Sequence, residues 1–225
     1  QVLVPKYYNP EIDAELAALA NTHDLVTLGQ LLDSKTVSVT TGVEVGKMAY
    51  GTGPIPFIRT SDISNWEIKA DFKHGVSEDI YASLRDKADV VPGDILMVRD
   101  GTYLIGTTGM VSESDTPMLF QSHLYRIRSL SPDDLSPWLL LACFNAPVVK
   151  KQIRAKQFTQ DIIDTVGRRL FEVLLPVPKD KDVCRRIAEE TRQVIETRAR
   201  LRNRAMEIAL EVEGLPPTTV EDDDV

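Results

Sequence analysis

Two groups of hydrogen-bonding side chains directly follow short apolar runs that predict buried strands. The runs are residues 55–58 and 95–98, and the polar groups are Arg59, Thr60, Ser61 and Asp62, then Arg99, Thr102 and Tyr103. A loop held in place by a rigid strand is a favourable position for reading a polar ligand. The alternative for the first group is an ordinary polar turn closed by an aspartate cap. Both groups are therefore candidate binding residues.

A basic segment forms a third candidate group. It lies in and just after a helix predicted over residues 147–156 and consists of Lys150, Lys151, Arg154, Lys156 and Gln157. The chain as a whole carries a net charge of −8, but residues 126–212 hold 17 Lys and Arg against 12 Asp and Glu. Anion binding depends on a local basic face and not on the total charge. The acidic total therefore weakens, but does not remove, the case for a nucleic-acid ligand.

Catalytic chemistry finds no support in the sequence. Glycine-rich phosphate loops and dinucleotide-binding fingerprints are absent, and His23, His74 and His123 are scattered without metal-ligand spacing. Asp94 follows a Pro-Gly turn as a nuclease carboxylate would, but no acidic-x-Lys pair follows on the next strand. We therefore expect no active site, no metal and no cofactor.

The C-terminal part of the sequence predicts one long helix. Residues 182–212 contain neither glycine nor proline, and an apolar row recurs at heptad spacing at Ile187, Val194, Leu201 and Ile208. Such a row is typical of a helix that pairs with another helix. A solvated helix lying on its own domain is the alternative, but the unbroken length favours a projecting arm. Gly214 ends this helix, and residues 215–225 predict a disordered acidic tail.

The rest of the chain predicts a mixture of helices and strands. We expect a helix after Asn9, a loop over residues 33–54, a strand within residues 67–76, a helix over residues 77–87 and a helix over residues 137–145 that begins with a proline. Residues 161–169 predict a loop leading into a helix, and residues 174–178 a rigid exit. Composition is that of a soluble globular protein, with 43% hydrophobic residues and two distant cysteines. No signal peptide or membrane span is predicted, so the cytoplasm is expected, and the initial Gln favours a fragment or processed form.

Four segments in a fixed order carry a family resemblance. They read IPFIRTSDISNWEI, VVPGDILMVRDGTYLIGTTGMV, YRIRSLSPDDLSPWLLLACFNAPVVKKQI and VGRRLFEVLLPVP, and the long helix follows them. Over residues 5–212 the chain resembles a target recognition domain of the specificity subunit of type I restriction-modification systems. It also resembles the similar C-terminal domain of fused adenine-N6 DNA methyltransferases.

The resemblance implies an α/β (mixed α+β) target recognition domain at 1–181, a coiled-coil-type spacer or dimerisation helix at 182–213, and the tail at 214–225. Such a domain reads one half of a split double-stranded DNA site and directs a methyltransferase or a restriction or phage-defence complex to it, without catalysis. Implied partners are DNA, a methyltransferase subunit or domain, a translocase or restriction subunit, and a second copy through the helix. No membrane partner is expected.

A usual specificity subunit has two halves and this chain has one, so either two copies pair or the chain completes a larger one. A coiled-coil scaffold that does not read DNA is the alternative.

The resemblance also gives the candidate groups their roles. Arginine suits guanine and Ser or Thr suits any base edge, which favours the two strand-end groups for sequence readout. The basic segment at 150–157 is better suited to phosphate contacts, which position a protein without specifying sequence. Arg168 and Arg169 are expected to be either phosphate contacts or ion-pair partners.

Overall fold

The computed structural model describes residues 5–101, 103–160 and 163–214. The helices in this part of the chain are α1 Pro10–Leu19, α2 Leu28–Asp33, α3 Glu78–Ala88, α4 Pro137–Asn145, α5 Pro147–Lys156 and α6 Lys181–Val212. The strands are β1 His23–Thr27, β2 Val37–Thr41, β3 Phe57–Ile58, β4 Ile63–Ser64, β5 Glu67–Ile68, β6 Ile95–Val98, β7 Asp100–Gly101, β8 Thr108–Met110, β9 Leu119–Phe120, β10 Leu124–Ser129, β11 Phe158–Gln160, β12 Ile163–Thr165 and β13 Leu174–Pro178. Short 3-10 helices lie at Pro5–Tyr7, Lys47–Ala49, Thr60–Asp62, Phe72–His74, Glu113–Asp115 and Gly167–Glu172.

An antiparallel sheet of order β2-β10-β6-β8 lies at the centre and is covered on both faces. On β6, Ile95 and Met97 pack into one hydrophobic cluster with α1, α2, α4 and α5, because successive side chains of a strand point to opposite faces. Leu96 and Val98 pack into the second cluster, which contains β3, β9 and Ala88 of α3. A strand buried on both faces has no polar alternation, which explains the continuous apolar run of β6.

Smaller sheets surround the centre. β7, β12 and β11 form an antiparallel group, β3 pairs with β9 in parallel, and β4 pairs with β5. β1 pairs with β13 in antiparallel register, with Leu25 opposite Pro176. This last pair brings the first strand of the chain beside the strand that leads into α6.

Several expectations are confirmed, and the mixed α/β class with a long C-terminal helix is among them. The Asn9 side chain caps α1 by accepting the Glu11 amide at 3.0 Å, with Pro10 in the first turn. The Ser77 hydroxyl accepts the Ile80 amide at 3.4 Å and caps α3. The bounds of α4 and α5 are those expected from their leading prolines.

Two expectations in the first half of the chain are wrong. Residues 33–54 are not all loop, since β2 lies within them and forms the edge of the central sheet against β10. Its Val and Thr residues are β-branched and fit a pleated surface in spite of the surrounding polar residues. The strand expected within residues 67–76 ends at Ile68, because the Asp71 side chain and carbonyl bind the Lys73 and His74 amides and turn the chain into a 3-10 helix.

One expectation in the second half is also wrong, and the structure adds detail to another. The piece at 161–169 contains β12, which pairs with β7, before a 3-10 helix begins at Gly167. The exit at 174–178 is a strand, β13, although it holds Pro176 and Pro178. Its bonded neighbour among the described residues is β1 on one side, and prolines are tolerated on such an edge strand.

Helix α6 contacts the globular part from its first turn to Arg202, through buried side chains in its first half and through Arg198 and Arg202 beyond them. Asp180 caps it by accepting the Asp182 amide at 2.8 Å. Cys184, Thr191 and Ile195 are buried at 9%, 6% and 3% exposure. The expected free-standing arm is therefore too simple a description, since only the later turns leave the globular surface. The division of the chain into domains at residue 181 stays a prediction.

None of the helices found in residues 5–101, 103–160 and 163–214 combines the length and apolar character that a membrane span requires.

Candidate nucleic-acid interface

Strand pairing brings Arg59 and Arg99, the first residues of the two predicted strand-end groups, to one edge of the molecule. Ile58 is in parallel register with Phe120, and the Gln121 amide donates to the Ile58 carbonyl at 2.9 Å. The turn after Gln121 continues to His123, whose carbonyl accepts the Arg99 amide at 2.9 Å. Arg59 and Arg99 therefore lie on either side of the 121–123 turn. We call this edge, made of Arg59–Ser61, Arg99, Asp100 and residues 121–123, the polar edge.

The first group forms a tight turn in which the roles of its members differ. Asp62 is 5% exposed and accepts the Arg59 amide at 2.8 Å and the Ser61 hydroxyl at 3.0 Å. Asp62 is thus a buried capping residue, and its expected DNA contact is corrected on that ground. The Arg59 guanidinium donates to the Ser61 hydroxyl at 3.3 Å, and its Nε atom is buried with no hydrogen-bond partner in the described part of the chain. Thr60 is half-buried and Ser61 exposed on the same turn.

Arg99 lies in a network with three neighbours. Its Nε and Nη2 atoms are 2.7 Å and 2.6 Å from Oδ2 of Asp100, and Nδ1 of His123 is 3.1 Å from the same oxygen. The Arg99 guanidinium also lies 5.6 Å from the centre of the Tyr125 ring. These residues line a cleft of about 770 Å³ that continues to Thr165 and Arg168. The pKa of Tyr125 is raised by burial, so its hydroxyl stays protonated.

Tyr103 is carried on the connection between β6 and β8 and is 89% exposed. The connection is fixed at its base, where Gly106 has a φ of +80° and a Cβ there would lie 2.9 Å from the Ile153 side chain. The Lys150 ammonium donates to the Gly106 carbonyl. Burial lowers the pKa of Lys150 to about 8. Lys150 therefore supports the Tyr103 turn from within and is corrected as an expected phosphate contact. Thr102 lies outside the described residues.

The other basic residues of α5 divide into paired and unpaired side chains. Lys151 forms an ion pair with Glu15 of α1. Lys156 is 3.1 Å from Glu172 and only 14% exposed, which corrects its expected phosphate role. In the described ranges, the side chains of Arg154 and Arg168 have no hydrogen-bond or ion-pair partner, and both residues are exposed. Gln157 follows α5 and is half-buried.

An aromatic and basic cluster lies at the C-terminal end of α5 and contains Tyr7, Lys156, Phe158 and Arg169. Lys156 lies 4.4 Å from the Tyr7 ring centre, and Arg169 lies 4.4 Å from that of Phe158. Tyr7 donates to Glu172, and this hydrogen bond raises the pKa of Tyr7 to about 12. Arg169 is accordingly a stacked, half-buried residue, whereas Arg168 faces the cleft.

His123 and Arg168 line the cleft of the candidate site, although little in the sequence indicates that they do. His123 looked like one of three scattered histidines, and its contact with Asp100 spans 23 positions of the chain. The only local signal is its position in a polar turn between two apolar strands. Arg168 was named, but the choice between a phosphate contact and an ion pair depended on which acidic residues fold nearby.

The carboxylate that resembled a nuclease residue has a structural role. Asp94 is fully buried and accepts Arg128 Nε at 2.6 Å through one oxygen and Arg128 Nη2 at 2.8 Å through the other. Arg128 Nη1 is also 3.0 Å from Asp89. Among the residues the structure describes, no three His, Cys, Asp or Glu side chains come together as metal ligands.

The predicted pairing row on α6 lies mostly in solvent. Ile187 packs against the main core, but Val194, Leu201 and Ile208 are 46%, 62% and 48% exposed. The buried row of Cys184, Thr191 and Ile195 occupies a neighbouring face of the same helix. The exposed row is therefore available to a second helix.

Comparisons with known proteins place the fold. The chain has the fold of a type I restriction-modification system S subunit from M. genitalium, with a TM-score of 0.56 and 15% identity over 86% of this chain. A type I R-M system structure matches with a TM-score of 0.48 and 17% identity, covering 84% of this chain and 42% of that one. The HsdS subunit from Thermoanaerobacter tengcongensis matches with a TM-score of 0.47 and 18% identity, covering 86% of this chain and 45% of that one. The chain spans 44% of the M. genitalium S subunit, less than half its length. No protein-family model and no curated protein matches the sequence.

Proposed function

We propose that the chain is a target recognition domain that reads one half of a split double-stranded DNA site for a DNA methyltransferase or restriction complex and has no catalysis of its own. The observation that carries the proposal is the likeness to an S-subunit fold over 86% of the chain. It is supported by the polar edge, where hydrogen-bonding side chains follow strand ends, and by the adjoining cleft, which is lined by the exposed Arg168.

Base readout is proposed for the polar edge. Arg59, Thr60, Ser61, Arg99 and the exposed Tyr103 offer donors, acceptors and a ring that suit base edges. Thr102 stays in this group as a prediction from the sequence. Arg59 and Arg99 directly follow β3 and β6, whose ends are fixed by backbone hydrogen bonds, and such rigidity favours selective recognition.

Phosphate contact is proposed for Arg154 and Arg168, because each is an exposed cation without an acidic partner in the described residues. Lys151 and Gln157 are secondary candidates, since Lys151 already pairs with Glu15. Neutralising phosphates releases counterions, so binding should weaken steeply as salt rises even though the whole chain is acidic.

The exposed row of α6 is proposed to pair with a helix of a second copy or of a larger methyltransferase chain, in the cytoplasm of a prokaryotic cell. A heptad row favours helix pairing but does not choose between these partners. Either partner would set the distance between two half-sites.

The test is selection from a random duplex library, at several salt concentrations, with the chain and with its L201E/I208E variant. This variant is preferable to deleting α6, because Cys184, Thr191 and Ile195 of that helix are buried in the core. A defined enriched motif is expected, and a two-part palindrome that becomes a half-site in the variant would identify a second copy as the partner. A half-site from both proteins would indicate a larger methyltransferase chain.

A coiled-coil scaffold that does not read DNA is the second candidate, and the exposed apolar row of α6 is the observation that favours it. Absence of an enriched motif at low salt, with a helix partner still bound, would establish the scaffold and end the DNA proposal.

A further inference from the structure

We propose that Arg99 reads a guanine in the major groove and that Asp100 and Tyr125 are positioning residues that hold its guanidinium in the reading orientation. This inference rests on the proposed function and adds to it a base and the residue that selects it.

The hydrogen bonds of Arg99 leave one edge of its guanidinium open. Nε donates to Oδ2 of Asp100 at 2.7 Å, and Nη2 lies 2.6 Å from the same oxygen, so the carboxylate occupies the side edge of the planar group. The end edge, formed by Nη1 and the outer N–H of Nη2, has no partner in the described residues. Two parallel donors on a planar group match the O6 and N7 acceptors of guanine.

Arg99 is held from several sides, so its open edge has a fixed direction. The Asp100 side chain is 7% exposed, and its backbone lies in register with Thr165 of β12. The Tyr125 ring lies 5.6 Å from the guanidinium, and the Arg99 amide is bonded to His123. A donor pair fixed before binding loses little conformational freedom on contact with a base. Arg99 is still 31% exposed and borders the cleft, so a base edge can reach it.

Arg128 and Asp94 form a purely structural ion pair in the same protein, which can be compared with Arg99 and Asp100. The side edge of Arg128 meets both oxygens of the fully buried Asp94, and its Nη1 is used as well, by Asp89 at 3.0 Å. Both edges of that guanidinium are used inside the fold. Arg99 differs because it uses one edge for an internal carboxylate and presents the other to a cleft.

The experiment measures how the affinity of the full chain depends on the base at each position of its selected duplex. In the wild-type chain, one guanine should be preferred over the other bases by about 5- to 150-fold, the range of a good bidentate contact. The R99Q variant should lose the preference at that position alone. Replacing that guanine by 7-deazaguanine, which lacks the N7 acceptor, should weaken wild-type binding and leave R99Q binding nearly unchanged.

Two further variants distinguish the proposed positioning role of Asp100 from the proposed phosphate contact of Arg154. D100N should reduce the same preference, whereas R154Q should lower affinity for every duplex and leave all base preferences intact. If D100N does not fold, the 7-deazaguanine comparison on wild type and R99Q decides alone. The inference is overturned if R99Q keeps every base preference or weakens all duplexes equally. A wild-type chain that selects no motif would instead overturn the proposed function.

Discussion

The Nη2 atom of Arg202 lies 2.8 Å from Oδ1 of Asp115 and joins α6 to a turn that is 87 residues away in the chain. The same guanidinium donates to the Ile68 carbonyl at 2.6 Å, and Arg198 donates to the Asn65 carbonyl at 2.6 Å. The Asp115 side chain is only 9% exposed, so the ion pair is largely shielded from water. Beyond the buried Ile195, α6 is thus held against the globular part by charged hydrogen bonds.

Replacing Arg202 by Met should loosen the second half of α6. The change leaves a nearly buried carboxylate without its cation, and a hydrogen bond to a charged group contributes about 1.5–3 kcal/mol. Hydrogen exchange of the amides at 198–212 should accelerate accordingly. R204M is the matched control, because Arg204 pairs within the helix with Glu207 and Glu211. Equal exchange rates in both variants would contradict this role of Arg202.

Removing Arg154 or Arg168 should weaken DNA binding without changing its sequence preference. Each is an exposed cation proposed to contact a phosphate, and losing one contact reduces the slope of log affinity against log salt by about one. Titrations at several salt concentrations with R154A and R168A measure this slope. R186A is the control, since Arg186 is paired with Glu190 on α6. An unchanged slope in both variants would remove these arginines from the interface.

Lys150 should make stability depend on pH between about 8 and 10.5. Burial lowers the pKa of Lys150 from 10.5 to about 8 in the folded chain. Within this window Lys150 carries a proton in the unfolded chain that it lacks in the folded chain, so its contribution to the free energy of unfolding rises with pH. That contribution amounts to about 3–4 kcal/mol, at about 1.4 kcal/mol per pKa unit. Burial raises the pKa of Cys143 from 9.0 to about 12, which acts in the opposite direction above pH 9, so the quantity to measure is the difference between wild type and K150M. In urea unfolding, the stability of wild type should rise relative to that of K150M across this window; parallel curves would be the contrary result.

Charging the exposed row of α6 should abolish helix pairing. Leu201 and Ile208 are 62% and 48% exposed, so glutamates there leave the globular core intact. If the partner is a second copy, sedimentation equilibrium should show a dimer for wild type and a monomer for L201E/I208E. R200E makes the same net charge change of −2 on α6 at an exposed position about 100° around the helix from Leu201 and should remain dimeric. A dimer that survives the double substitution would show that pairing uses another surface.

Gly106 should be more sensitive to alanine than Gly93. Both have positive φ, at +80° and +90°, so both substitutions carry backbone strain. A Cβ at Gly106 would also lie 2.9 Å from the Ile153 side chain, whereas one at Gly93 meets nothing within 4 Å. Thermal unfolding should therefore place G106A below G93A, by roughly 1–3 kcal/mol for overpacking. Equal stability would mean that Ile153 moves aside without cost.

Local signals in the sequence were sufficient where the structure depends on local contacts. The caps at Asn9 and Ser77, the prolines that open α4 and α5, and the heptad spacing of α6 all act within a few residues. The strand β13 was missed because its prolines indicate a break, and only its distant pairing with β1 makes it a strand.

The candidate site depends on contacts that sequence spacing does not encode. That Asp62 is a cap, that Lys150 supports a turn and that Lys156 meets Glu172 follow from tertiary neighbours. Residue type made Arg99 a candidate, but the orientation of its guanidinium comes from Asp100 and from Tyr125, which is 26 positions away in the sequence.

The buried row of α6 also fixes the rotation of the helix about its own axis. Because Cys184, Thr191 and Ile195 are buried in the core, α6 cannot rotate about its axis. The globular part therefore sets the direction in which Val194 and Leu201 point. A partner helix can approach from one direction only. Under the proposed function, the hydrophobic core of one chain would in this way determine where on the double helix a second chain is placed.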